Sequence, residues 1–529
     1  MTITAMRSSN REGKASSSWF RFASPSITDI IFIVLLYSLS TGAMGLRLLG
    51  DAGVGWHIRN GELIVQTHSI TRVDPFSYVM GGKPWYAWEW LYDVVIAALH
   101  HSFGLNGVVF FTALVIATTF ALTFRLMIRS GASVPVAVIL LVLALGASSI
   151  HFLARPHVLS WLFAMIWFQL LDDSIQHPRR LFWLPVVMFL WANLHGGFIA
   201  GFVLIALYMI ADALQYLRNR ETRIPTWSTL RTLGSVTALS LLASLINPYG
   251  YKLHWHVYRY LTDHWLMNHI DEFLSPNFHG VAQQCFVVLL LITVVAWNIA
   301  PKKPRLVDVL IVLFAAYSGL YASRNLPVSC ILLVLIIAPA LSQAGSAAAV
   351  NRQIPARTRE FLAQLESFNS RMSSLEARLA GHFWPAAAVF VGAMMCAHQG
   401  RLDSKRLMDA HFDPKRFPVQ AVDVIESRPI HEPIFSLDSW GGYLIYRLYP
   451  KAKVFVDDRH DLYGAQFLKD YLKAIRVTPD WDTMLNSRRV NWVLVPAESS
   501  LANILKETQG WTIQYEDKVA VLFRRTNPA

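Results

Sequence analysis

Charge is scarce in this chain. Only 16% of its 529 residues are Asp, Glu, Lys or Arg, and 54% are hydrophobic. A soluble protein of this length would not need so much apolar surface, so that class is excluded. Cysteine is scarcer still. Cys285, Cys330 and Cys396 all lie in apolar runs, which argues against a disulfide framework or a metal cluster. No cleavable signal is evident, because Met1–Pro25 is basic and Ser-rich and the apolar run after it is too long for a signal core. There is no internal repeat. A formal charge of +12 would suit nucleic acid, but its distribution along the chain excludes that partner.

What is present is a series of apolar windows of roughly 18 to 23 residues, each long enough to cross about 30 Å of hydrocarbon. They predict spans near 27–48, 106–128, 132–153, 156–174, 181–198, 199–217, 229–246, 281–299, 306–323, 325–343 and 383–398. The expected fold is therefore an α-helical polytopic membrane protein with about 11 transmembrane helices. The segment Trp88–Phe103 is short and amphipathic and carries Glu89 and Asp93. It reads as a helix lying at the membrane surface. With the N-terminus in the cytoplasm, this topology puts 20 Lys and Arg on inner segments and 8 on short outer ones, as positive charge prefers. Counting Trp88–Phe103 as a span would invert every later loop.

The domain reading follows. Residues 1–26 form a basic cytoplasmic tail and 27–398 the transmembrane domain. Its first outer loop runs over 49–105, and a cytoplasmic amphipathic segment over 345–382. Residues 399–529 alternate strand-like runs such as "VNWVLV" with helix-like ones such as "AQFLKDYLKAI", which predicts a small extracytoplasmic α/β domain. The protein is expected in the inner, cytoplasmic membrane of a cell, with membrane lipids as constant partners.

The unusual polar residues collect at outer span ends. "DAGVGWHIRNGELI", Asp51–Ile64, follows the first span. Arg155 and His157 sit at the turn after the third. Asn193 and His195 end the fifth, and Arg324 precedes the tenth. Of the 18 histidines, only His177 and His382 fall on the inner side. Charged groups near membrane depth are costly and often functional. Each one alone could equally snorkel to the headgroups or close a hydrogen bond between helices.

The Asp51 motif is followed by "VDPFSY" (Val73–Tyr78) and "GKPWYAWEWL" (Gly82–Leu91). Together with the topology, these resemble the GT-C superfamily of integral membrane glycosyltransferases, in its protein-mannosyltransferase and oligosaccharyltransferase-like range. The tail stretch "LDSWGGYLIYRLYPKAKVFVDDRHDLYG", Leu437–Gly464, is similar to an oligosaccharyltransferase region in which a Trp-Asp-Tyr-Gly motif precedes a strand ending in Asp. That exact motif is absent here. The resemblance implies transfer of a sugar from a polyprenyl-phosphate-linked donor to a polysaccharide, lipid or protein acceptor at the outer face. It implies Asp51 as the catalytic base, and His57 and Glu89 are candidates to assist it. Arg59, Arg155, Arg324 and His195 are candidates for the donor phosphate, since guanidinium groups bind phosphate oxygens bidentately. Trp56, Trp85 and Trp88 are candidates to stack on sugars, or to form an interfacial aromatic belt. In the run Asp457–His460, Asp457 and Arg459 are the acceptor candidates. The second outer loop, "HFLARPH", lacks the Asp-x-Asp of metal-dependent relatives. No motif supports a cofactor, and a divalent cation is left open.

Two other classes compete. A transporter or flippase of lipid-linked sugars predicts charged or broken helices near the bilayer midplane, where these spans are nearly clean. A non-enzymatic envelope-assembly protein predicts no dependence on Asp51. A polymerase or ligase of lipid-linked oligosaccharide would share the transferase chemistry.

Overall fold

The structure is a computed structural model that describes residues 23–218, 227–378, 382–428, 430 and 432–526. Most of the expected N-terminal tail, with Arg7, Arg11, Lys14 and Arg21, and the loop holding Arg220 and Arg223 lie outside the described residues.

Each apolar window contains a helix, because a backbone in hydrocarbon can satisfy its polar groups only within itself. Among the described residues, five helices are long and apolar enough to cross a bilayer: Trp90–Arg129, Val134–His151, Gly196–Arg218, Val281–Ile299 and Ser323–Val350. Ile27–Ser40 and Gly42–Leu48, bent by 74°, make a sixth as a pair. Shorter apolar helices cover His157–Asp172, Leu306–Tyr321 and Phe383–Ala397. The chain is a multi-pass membrane protein. Cys330 and Cys396 are buried and unpaired.

The Trp88–Phe103 segment joins the following span in one helical run, Trp90–Arg129, interrupted at Gly104 with φ 60 and ψ −157. That left-handed conformation suits glycine and breaks the axis. The N-terminal part packs Tyr92, Asp93, Ile96 and Ala97 away from solvent, against the helix Gly53–Thr67 that carries the Asp51 motif.

The tail forms a hairpin, β1 (Arg401–Leu402) and β2 (Lys405–Arg406), and then a four-stranded sheet. The sheet contains β3 (Ile434–Ser436), β4 (Trp492–Pro496), β5 (Trp511–Glu516) and β6 (Ala520–Arg525), in the order β3-β4-β6-β5. β3 and β4 are parallel, and the other pairs antiparallel. Helices Asp438–Leu448 and His460–Arg476 pack with it. The "KVFVD" run adds only bridges: Val454 pairs in parallel with Ile434 on one side and with Ser77 of the first outer loop on the other. Tyr78 N donates to Val454 O at 2.8 Å, and Val454 N donates to Phe76 O at 3.1 Å. The first loop thus extends the edge of the tail's sheet.

The two elements also meet through glycine. A Cβ on Gly55 would lie 2.2 Å from Gly442 O, and one on Gly442 would lie 2.3 Å from Ala52 O. Only hydrogen at both positions lets helices Gly53–Thr67 and Asp438–Leu448 approach this closely. This contact seats the tail directly over Asp51.

Candidate functional site

Asp51 follows the bent first span and precedes the helix Gly53–Thr67. Its Oδ1 accepts from Gly53 N at 2.7 Å, a local turn bond that fixes the carboxylate. The same oxygen accepts from Arg155 Nη1 at 2.7 Å. Arg155 Nη1 also donates to Asp458 Oδ2 at 2.5 Å. Asp458 Oδ1 in turn accepts from Trp56 Nε1 at 2.9 Å. Residues far apart in sequence therefore form one carboxylate–guanidinium–carboxylate bridge. Among the described residues, only Nη1 of Arg155 is hydrogen-bonded, which leaves Nε and Nη2 for another acceptor. Gly53 makes room for the bridge, since a Cβ there would lie 2.0 Å from Arg155 Nη1.

Burial pushes the Asp458 carboxyl above its ordinary value. Arg155 opposes that shift and the Asp51 charge adds to it. A cavity of about 250 Å³ opens on this bridge, lined by Asp51, Asp458, Arg416, Asp438, Trp440 and His460 among others.

A second group lies deeper. Glu89 is buried, with Oε2 3.8 Å from His57 Nε2 and Oε1 3.7 Å from His195 Nε2. Burial raises Glu89 to about 8, while Arg155 and Arg324 pull it down. His57 is fully buried and stacked on Trp56, with centroids 3.6 Å apart. Its Nδ1 lies 2.5 Å from Asp93 Oδ1. Asp93 Oδ2 accepts from Asn60 Nδ2 at 2.6 Å. Burial lowers the His57 imidazole well below its usual value. His195 Nδ1 accepts from Gly197 N at 3.1 Å, so in the neutral ring the proton sits on Nε2, facing Glu89. Arg324 closes the group from the far side, with Nη1 3.2 Å from Glu272 Oε1 and its guanidinium over the Phe273 ring at 4.4 Å.

The structure thus brings together Asp51, Arg155, Trp56, His57, Glu89, His195 and Arg324. It does not bring in the rest on the expected terms. Arg59 is engaged within the protein. Its Nε donates to Tyr446 O at 2.9 Å and its Nη1 to Glu62 at 2.7 Å, so it fastens the first loop to the tail. Asp457 and Arg459 engage each other. Both are buried, joined by two hydrogen bonds between their side chains, of 2.8 and 2.7 Å, and one from Arg459 N at 3.0 Å. Arg459 Nη2 lies 2.9 Å from Asp74 as well. Trp85 is buried beneath the same guanidinium at 4.5 Å and offers no free face to a sugar, and the indole of Trp56 is likewise buried. Trp88 is only half-buried, edge-on to His256 at 5.0 Å and Tyr260 at 5.8 Å.

Asp458 is the residue that the choice of Asp457 and Arg459 passed over. Neighbouring side chains in an extended segment point to opposite faces, so one of the Asp457–Asp458 pair had to face the bridge. The contact that decides which one comes from Arg155, 303 positions away. Asp93 was also passed over. Its signal was the placement of an acid on the buried face of an amphipathic helix. Among the described residues, no group of three His, Cys, Asp or Glu is arranged to hold a metal ion.

No family model matches the chain, and no curated protein matches it. The crystal structure of apo ArnT from Cupriavidus metallidurans superposes with a TM-score of 0.50 at 12% identity, over 96% of this chain and 98% of that one. The chain has the GT-C fold. Two structures of an Archaeoglobus fulgidus oligosaccharyltransferase align more loosely. Each has a TM-score of 0.45 and covers 89% of this chain and 69% of its own. One is the apo form, at 11% identity. The other, AglB, holds an inhibitory peptide and a dolichol-phosphate, at 12% identity. In this GT-C fold the bridge lies where the loop after the first apolar window, the turn after the third and the tail converge.

Proposed function

We propose that this protein is a membrane glycosyltransferase that moves a sugar from a polyprenyl-phosphate-linked donor to an acceptor at the outer face of the cytoplasmic membrane, with Asp51 as catalytic base. The observation that carries the reading is the Asp51–Arg155–Asp458 bridge at the mouth of a cavity. The acceptor enters that cavity and offers its hydroxyl to Asp51 Oδ2, the oxygen that Arg155 and Gly53 leave unengaged. Proton removal at that oxygen accompanies attack on the sugar's anomeric carbon. The bond from that carbon to the phosphate breaks, and the electron pair leaves with the phosphate. Arg155, through Nε and Nη2, and Arg324 stabilise the charge that develops there. Arg155 thereby couples base to leaving group, since one guanidinium touches both. Asp458 holds that guanidinium in place from the tail.

The first span, the interrupted helix after Glu89 and the tail together form the walls. The expected domain limits at 398/399 and the outward orientation of the tail belong to this reading. The acceptor class stays as broad as polysaccharide, lipid or protein.

The test is a transfer assay on the full-length protein in vesicles, with a radiolabelled polyprenyl-phosphate sugar. Asp51→Asn should abolish transfer while expression and thermal stability hold. Full turnover in that variant removes Asp51 from the reaction and with it this reading.

A further inference from the structure

We propose that the end of the helical bundle opposite Asp51 carries a binding site for the phosphate of an anionic phospholipid, walled by Arg125, Arg129, Gln169 and His382. The inference does not rest on the transferase reading. A cavity of about 340 Å³ lies there, lined by these four residues with Leu122 and Leu126. That is the size of an ordinary ligand pocket.

Four of the six residues come from one helix. Leu122, Arg125, Leu126 and Arg129 recur at spacings of three and four on Trp90–Arg129 and so share a face. Gln169 comes from the helix His157–Asp172, and His382 precedes Phe383–Ala397. Three apolar helices therefore converge on the site.

Asp29 and Glu376 lie near enough to act on Arg125, but among the described residues neither guanidinium touches a carboxylate. Arg125 Nη1 donates to His382 Nε2, a neutral acceptor. His382 is held in that tautomer because its Nδ1 lies 2.8 Å from Asp29 Oδ1. The two nearest carboxylates are engaged elsewhere. Asp29 Oδ2 accepts from Ser26 N at 3.0 Å. Glu376 accepts from Ile27 N at 2.7 Å and from Thr28 Oγ1 at 2.7 Å. Among the described residues, neither Arg125 nor Arg129 has a carboxylate partner. Two like charges one turn apart on a helix repel, and an anion seated between them removes that cost.

The chemistry selects phosphate, since the two guanidinium groups are donors only and Gln169 can turn its amide NH2 towards the same oxygens. The setting selects a lipid. From Gly104 to Arg125 the helix rises about 32 Å, one hydrocarbon thickness, so the cavity sits at headgroup depth. Leu122 and Leu126 continue the site into the apolar face of the span, where an acyl chain lies. Basic pockets between spans are the usual recognition site for anionic headgroups.

The experiment uses the full-length protein purified in mild detergent and stripped of lipid. Thermal midpoints are followed during titration with phosphatidylglycerol, phosphatidylcholine or inorganic phosphate. Phosphatidylglycerol should stabilise the protein, and phosphatidylcholine at the same concentration should not. Arg125→Gln/Arg129→Gln should weaken the phosphatidylglycerol effect at least 10-fold. Arg129→Gln alone changes an exposed residue and leaves folding intact, and it should weaken the effect about 3-fold. If the double variant does not fold, the single one decides. Undiminished phosphatidylglycerol binding in Arg129→Gln overturns the site, as does equal binding of phosphatidylcholine. Inorganic phosphate matching phosphatidylglycerol at equal phosphate concentration overturns the lipid assignment.

Discussion

At the end of the bundle that carries Asp51, the buried and half-buried cations meet carboxylates. Arg155 bridges Asp51 and Asp458, Arg324 reaches Glu272, and Arg459 is held by Asp457 and Asp74. At the other end, Arg125 meets an imidazole and Arg129 no carboxylate among the described residues. The contrast is local. Arg305 at that same end pairs with Asp172 and Asp308, so acids are available there and still do not serve Arg125 or Arg129. The difference teaches that charge in this chain is positioned for two tasks. One end holds a pre-formed electrostatic assembly that a reacting group can enter. The other keeps cations for an anion supplied from outside the chain.

The comparison can be broken in order of expected effect. The largest should come from Asp51→Asn, with turnover falling about 100-fold or more, read as transfer rate from a labelled lipid donor. A comparable loss of turnover in Arg129→Gln would erase the distinction between the ends. Next is Arg155→Ala. It leaves Asp51 and Asp458 facing each other without their shared cation, and removing a charged hydrogen-bond partner from this half-buried network costs about 1–3 kcal/mol. The donor KM should rise and the thermal midpoint should fall together. Gly442→Ala comes third. Its methyl group meets Ala52 O, and such overpacking costs about 1–3 kcal/mol. The expected readout is faster protease release of the tail, with phosphatidylglycerol binding at the far end untouched. The smallest effect is one of pH. Glu89 is raised by burial from 4.5 to about 8, so the folded state binds a proton there that the unfolded chain has already released. Stability contributed by this group therefore falls as pH rises from 4.5 towards 8. Glu89→Gln should gain in thermal midpoint relative to the wild type between pH 5 and pH 8. A constant offset across that range would show that Glu89 is not the group responsible.

Much of the fold was legible in the sequence, because a membrane forces apolar length and helical backbone together. The apolar windows, the break before the second span and the α/β tail all follow from that constraint or from strand and helix periodicity. The first loop was legible too, through Asp51, Trp56 and His57 in one motif. The rest depended on contacts across hundreds of residues. Nothing local distinguishes Asp458 from Asp457, and only the approach of Arg155 separates them. Arg59 and Arg459 read as available cations because a sequence shows charge and not the partner that neutralises it. Asp74, which helps neutralise Arg459, stands in "VDPFSY", a loop motif that carries no sign of the salt bridge it makes.

One feature of the backbone constrains how the protein can move. Ser77, fully buried, pairs at the edge of the tail's pleat through Val454, while the glycine-to-glycine contact locks the neighbouring helices. Swinging the tail outward would strip paired amides and carbonyls of their partners all at once, so loop and tail travel as a single rigid cap. For the lipid-linked donor proposed above, a sideways path between spans from the bilayer is the one that leaves this cap intact.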